Sequence, residues 1–203
     1  TGWGTPFKYF FDGVPVENHA KNGRSTKSFL EEGLWEKVKE RLKPNDYVFI
    51  QFGHNDEVPT KVGRYTTPEE YRINLSRYIQ ETRGHGSFPV LLTPVTRRSF
   101  EEGKLKNTHK QYAQLVLDVA NELNVPLIDM TKKSMDLVES WGEEKSELLY
   151  LHLVQGEHPN YPNGSEDNTH FNELGARKMA QLVLEGIRSS DMELKSFIVN
   201  QSK

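Results

Sequence analysis

The stretch that decides the fold is "YVFIQFGHND", residues 47–56. Six apolar or β-favouring residues run into Gly53, and three polar residues follow: His54, Asn55 and Asp56. A short apolar run rich in aromatic and β-branched residues, bounded by turn formers, reads as a buried strand. Two further runs repeat the pattern, "PVLLTPV" (89–95) and "VPLIDM" (125–130). Helical patterns lie between them. "TPEEYRINLSRYIQETRG" (67–84) opens with Thr67 as N-cap, Pro68 at the first helical position and Glu70 closing a capping box. Tyr71, Leu75, Tyr78 and Ile79 then share one face, and Gly84 ends the pattern. "NTHKQYAQLVLDVANELNV" (107–125) places Tyr112, Leu115, Val116, Val119 and Leu123 on one face in the same way. A third helix spans about Ser28–Leu42 and breaks at Gly33. Strands alternating with helices of this length imply βαβ units and a parallel sheet covered on both faces.

Composition narrows the partners. The 203 residues carry a net charge of -3, so no basic field invites nucleic acid. No window approaches the roughly 18 apolar residues of a membrane span. There is no cysteine, which removes disulfides, thiolate nucleophiles and cysteine metal sites. The chain opens on Thr1, so residue 1 is expected to lie downstream of the start of the gene product.

Three clusters carry the candidate chemistry. In an open parallel sheet, ligands sit beyond the carboxyl ends of the strands, where "GHND" (53–56) falls. The Asn55 amide is suited to an oxyanion; the simpler reading is a turn. In "NHAKNGRSTKSF" (18–29), Gly23 can bring its N–H close to a ligand at a helix start. The simpler reading there is an N-cap at Ser25 or Thr26. "EDNTHFNELGARKMAQLVLEGI" (166–187) ends in an amphipathic helix and sets Asp167 three residues before His170. A carboxylate on one imidazole nitrogen fixes the tautomer that lets the other act as a base. A lone D-x-x-H is not specific, and the simpler reading makes Asp167 a helix cap and His170 a surface residue. Before it, "YLHLVQGEHPNYPNGSEDN" (150–168) reads as a long ordered loop.

The order of these clusters and their wording resemble the SGNH (GDSL-type) hydrolases. "NGRSTKSF" is similar to that family's second block, "QFGHNDE" to its third and "DNTHFNELGA" to its fifth. "TGWG", "GRST" and "TPVTRR" point to the rhamnogalacturonan acetylesterase branch. The resemblance covers nearly the whole chain. It implies a three-layer α/β/α fold of flavodoxin type and a carboxylic ester hydrolase that removes acetyl groups from a plant cell-wall polysaccharide such as pectin. The site it implies has His170 as base, Asp167 orienting it, and Gly23 (backbone N–H) and Asn55 (side-chain amide) as oxyanion donors. His54 and Asp56 would support the loop that aims Asn55. No cofactor and no metal are implied. The expected partner is an acetylated oligo- or polysaccharide, with the protein a monomer; a secreted or periplasmic place fits an extracellular polymer, and a cytoplasmic one fits imported oligosaccharides.

The family's nucleophile is the serine of a Gly-Asp-Ser block after its first strand, and no such block occurs in residues 1–203. The expectation is a single domain over 1–203, incomplete at its N-terminus, with serine and first strand upstream of Thr1. Without that central strand, the chain is not expected to fold stably alone. Ser25 lies near the implied site, but the block match assigns it to a helix start. Arg97 and Arg98, after the second strand, could meet galacturonate carboxylates, or be two solvated arginines. Tyr161 could wall a sugar cleft. Three alternatives stay open: a non-catalytic carbohydrate-binding relative, a lipase or thioesterase, and a metal site drawn from His54, Asp56, His152, His158, Asp167 and His170. The last has no recognisable ligand spacing.

Overall fold

The computed structural model describes residues 1–199. Along the chain run α1 (Gly4–Phe7), α2 (Thr26–Glu31), α3 (Leu34–Lys39), β1 (Tyr47–Gln51), α4 (Pro68–Gly84), β2 (Phe88–Leu92), β3 (Phe100–Glu101) and β4 (Lys104–Leu105). Then follow α5 (Lys110–Glu122), β5 (Leu127–Ile128), α6 (Met130–Lys145), β6 (Tyr150–Leu153), β7 (Ser165–Phe171) and α7 (Glu173–Arg188). The chain divides into two compact units.

The sheet unit comprises His19–Pro94 and His109–Thr131. Its three strands are parallel in the order β1-β2-β5. Central β2 is buried from Pro89 to Leu92, the signature of a strand covered on both faces. The expected capping box is present: Thr67 Oγ1 accepts the Glu70 N–H and the Glu70 carboxylate accepts the Thr67 N–H. The expected face of α4, Tyr71, Leu75, Tyr78 and Ile79, is buried with Tyr112, Val116 and Val119 of α5 in one core. Burying each such side chain stabilises the fold by about 1.5–3 kcal/mol. Gly33, at φ 68°, separates α2 from α3 where the sequence expected a break.

The hairpin unit comprises Thr1–Asn18, Val95–Thr108 and the chain from Lys132 onward. Here α7 buries Ala176, Met179, Ala180, Val183 and Ile187. The segment 150–168, expected to be a long loop, instead forms the antiparallel hairpin β6–β7. Its prolines and two glycines, Gly156 and Gly164, are confined to the tip; the flanking residues pair as strands. Helix α6 was not expected at all. It is interrupted at Gly142, whose φ of 73° is not helical, and that break blurs its periodicity.

Candidate active site

In the sheet unit, the chain leaves β1 through Gly53 and turns at once. Asp56 is fully buried in that turn. Its Oδ1 accepts hydrogen bonds from the N–H of Thr26 (2.9 Å), the hydroxyl of Thr26 (2.5 Å) and the hydroxyl of Thr66 (3.0 Å). Among the described residues, its Oδ2 has no hydrogen-bond partner. Burial pushes the carboxyl up to about 6, against the opposing pull of those donors. Asp56 thereby ties the turn after β1 to the start of α2, just beyond Gly23. His54 packs its ring edge-on to His109, 4.3 Å between centroids.

Asn55 donates from Nδ2 to the carbonyl of Arg24 at 3.2 Å, and its Oδ1 accepts from Lys61 Nζ at 3.2 Å. The ammonium and the carbonyl on opposite sides fix the orientation of the amide. One amide hydrogen is used on Arg24, which leaves the second for a ligand. Gly23 adopts φ 73°, a conformation an L side chain rarely takes, and a Cβ there would lie 3.2 Å from the Arg64 guanidinium. Among the described residues, nothing accepts the Gly23 N–H. The structure thus brings Gly23–Arg24 and Asn55 together as a pair of N–H donors. Ser25 is buried, and its Oγ accepts the Ser28 N–H in a second capping box. A hydroxyl so enclosed is not an exposed nucleophile.

In the hairpin unit, Leu151 stands opposite Asp167 and Tyr150 opposite Phe171. Asn168, Thr169 and His170 therefore have no residue across from them and bulge from the ladder. Asp167 organises the bulge. Its Oδ1 accepts the N–H groups of Thr169 (2.8 Å) and His170 (2.9 Å), and its Oδ2 accepts His170 Nδ1–H at 2.6 Å. Partial burial raises the Asp167 carboxyl, but these three donors outweigh it and hold the group below the usual carboxylate range. The His170 side chain is 55% exposed, so Nε2 can meet a ligand. The sequence placed this pair on a turn at the helix entrance; the structure places it on a strand bulge. The N-cap of α7 is Asn172, whose Oδ1 accepts the Gly175 N–H.

Arg97 donates to Thr108 Oγ1 at the surface. Arg98 is not a solvated arginine: its side chain is 11% exposed and its guanidinium is held by five hydrogen bonds. Tyr161, at the hairpin tip, stacks edge-on to His158. Sequence reasoning missed Lys61, Asn168 and the internal bonds of Arg98, none of which leaves a local signature. Among the described residues, no group of three or more His, Asp or Glu side chains could hold a metal ion. No described helix is long and apolar enough to cross a membrane.

The sheet unit thus holds an N–H donor pair beyond β1, and the hairpin unit a carboxylate-oriented histidine. Residues 2–178 match the GDSL-like lipase/acylhydrolase family, and the chain belongs to it, a carboxylic ester hydrolase of α/β fold. The chain is 43% identical to the rhamnogalacturonan acetylesterase RhgT of Bacillus subtilis (strain 168), over 98% of this chain and 86% of that protein. It is 36% identical to the probable rhamnogalacturonan acetylesterase YesY of the same organism, over 98% and 89%. The crystal structure of YxiM from Bacillus subtilis superposes with a TM-score of 0.78 at 26% identity, covering 93% of this chain and 50% of that one.

Proposed function

We propose that this protein removes acetyl groups from rhamnogalacturonan, the acetylated backbone of pectin, through a Ser-His-Asp mechanism. The observation that carries the reading is the 2.6 Å bond between His170 Nδ1 and Asp167 Oδ2. That bond leaves His170 Nε2 as the basic nitrogen. The mechanism takes a serine as nucleophile; residues 1–203 hold no Gly-Asp-Ser block. His170 takes the serine proton as the oxygen attacks the acetyl carbonyl. The Gly23 N–H and the Asn55 amide hold the negative oxygen that develops. His170 then protonates the departing sugar hydroxyl, and a water deprotonated by His170 releases acetate and restores the serine. Asp167 stays ionised throughout and stabilises the imidazolium.

The substrate assignment is supported by the names of RhgT and YesY. Of Arg97 and Arg98, Arg97 is the one at the surface that a galacturonate carboxylate could reach, and Tyr161 offers a ring to the sugar. The experiment is acetate release by the full polypeptide from acetylated rhamnogalacturonan, acetylated xylan and long-chain acyl esters. Preference for the first is the expected result. Equal rates on long-chain esters would make the protein a lipase. Binding of the polysaccharide with no acetate release would make it a non-catalytic relative.

A further inference from the structure

We infer that Arg98 is a positioning residue for the base of the reaction, acting through Asn168. The inference rests on the role proposed above for His170.

Asn168, Thr169 and His170 have no residue opposite them in the β6–β7 register, so other contacts must fix the bulge. Asp167 ties down its far end through the Thr169 and His170 N–H groups. Its near end is Asn168, and Arg98 holds that residue twice. The Arg98 backbone N–H donates to the Asn168 carbonyl at 2.8 Å, and Arg98 Nη1 donates to Asn168 Oδ1 at 3.0 Å. His152 Nε2 lies 2.9 Å from the same Oδ1 and completes the grip from β6.

The rest of the guanidinium anchors this clasp to the end of α6. Nε donates to the Glu143 carbonyl and to Ser146 Oγ. Nη2 donates to the Glu143 carbonyl at 2.7 Å and to Glu147 Oε1 at 2.9 Å. The cation also sits over the Phe100 ring, 5.8 Å from its centre. A planar fork with five N–H groups can span a helix end and a strand bulge at once; an ammonium cannot reproduce that geometry. The clasp therefore fixes Asn168 relative to α6, and the chain carries that constraint through Thr169 to His170. A shift of about 1 Å in a reacting group costs on the order of 10²-fold in rate.

The test uses the full polypeptide and 4-nitrophenyl acetate, a neutral ester with no sugar. Arg98→Ala, Asn168→Ala and the double variant are compared with wild type. Each single variant is expected to lower kcat about 10- to 100-fold while leaving KM within about twofold. The double variant should be no worse than the poorer single one by more than about threefold, because both changes cut one route. Arg98→Lys should recover little. Asn168→Ala leaves the α6 anchor intact, so it stays informative if Arg98→Ala fails to fold.

A readout that needs no turnover is the proton resonance of His170 Nδ1–H, expected to broaden on Asn168→Ala. Normal kcat with an unchanged resonance in folded Asn168→Ala would overturn the inference. So would multiplicative losses in the double variant, or a loss confined to KM on acetylated oligosaccharide. His170→Ala separates the two readings. If it still hydrolyses the ester, the base itself is misassigned and both fall. If it is inactive while the Arg98 and Asn168 variants turn over normally, only the positioning role falls.

Discussion

Asp167 gives His170 one carboxylate for two purposes: Oδ1 receives the His170 backbone N–H at 2.9 Å and Oδ2 receives its ring Nδ1–H at 2.6 Å. Main chain and side chain of the histidine are therefore set by one group. Asp167→Asn keeps an oxygen for the backbone bonds but puts an amide N–H against Nδ1. The ring must then turn its other tautomer toward the ester. The expected outcome is a fall in kcat on the order of 10⁴-fold with little change in unfolding midpoint. Steady-state kinetics and urea unfolding of the same sample check it.

Asn55→Ala removes a donor from the proposed oxyanion pair and should lower kcat by about 10²–10³-fold on acetyl esters of any alcohol. The Lys61 ammonium holds the Asn55 oxygen from an exposed position. Lys61→Met should therefore cost far less, about threefold to tenfold, since the Arg24 carbonyl still orients the amide. Near-normal activity of Asn55→Ala would remove it from the site.

Asp56 predicts a pH effect on stability. Burial lifts its carboxyl from 3.8 to about 6 in the folded chain. A raised folded value means the native state holds the proton more tightly than the unfolded chain does. The stability this confers is fully present below about pH 4 and is lost as pH rises through about 6, to the extent of roughly 3 kcal/mol. Asp56→Asn cannot ionise. Compared with wild type, it should gain stability steadily between pH 4 and pH 7. A constant difference in urea unfolding free energy across that range would contradict the assignment.

Gly175 lies in the first turn of α7 against the chain entering β6. A Cβ there would fall 1.9 Å from the Leu149 carbonyl oxygen and 2.9 Å from the Phe171 ring. Gly175→Ala must push α7 off the hairpin, so a loss of at least about 2 kcal/mol in unfolding free energy is expected. A change below about 0.5 kcal/mol would show that the helix is not held that close.

What the sequence disclosed was local. Thr67, Pro68 and Glu70 announce the start of α4 because a capping box is written within four residues. The strands β1 and β2 were visible because a covered parallel strand is apolar throughout. The Asp167–His170 pairing was legible because the two are three residues apart. The hairpin was hidden by its tip, where Pro159, Pro162, Gly156 and Gly164 dominate the composition while β6 and β7 are short. Its bulge depends on register, and register is a property of two strands together. Arg98 and Asn168 are 70 residues apart, so no pattern joins them. Asn172 was overlooked as the cap because Asp167, also a good capping residue, precedes it.

The three residues that step out of the β7 ladder divide the hairpin by purpose. The residues bonded to that bulge, Asp167 and Arg98, meet it at the base of the hairpin. The tip, residues 154–164, carries His158 and Tyr161, and none of the hydrogen bonds described above joins it to that apparatus. On the proposed function, the base of the reaction and the ring offered to the sugar sit at opposite ends of one supersecondary element. The tip can be lengthened, shortened or exchanged for a foreign loop with the base of the reaction still in place. On the proposed function, such a graft is expected to change which polymer is held and to leave the bond-breaking step as it was.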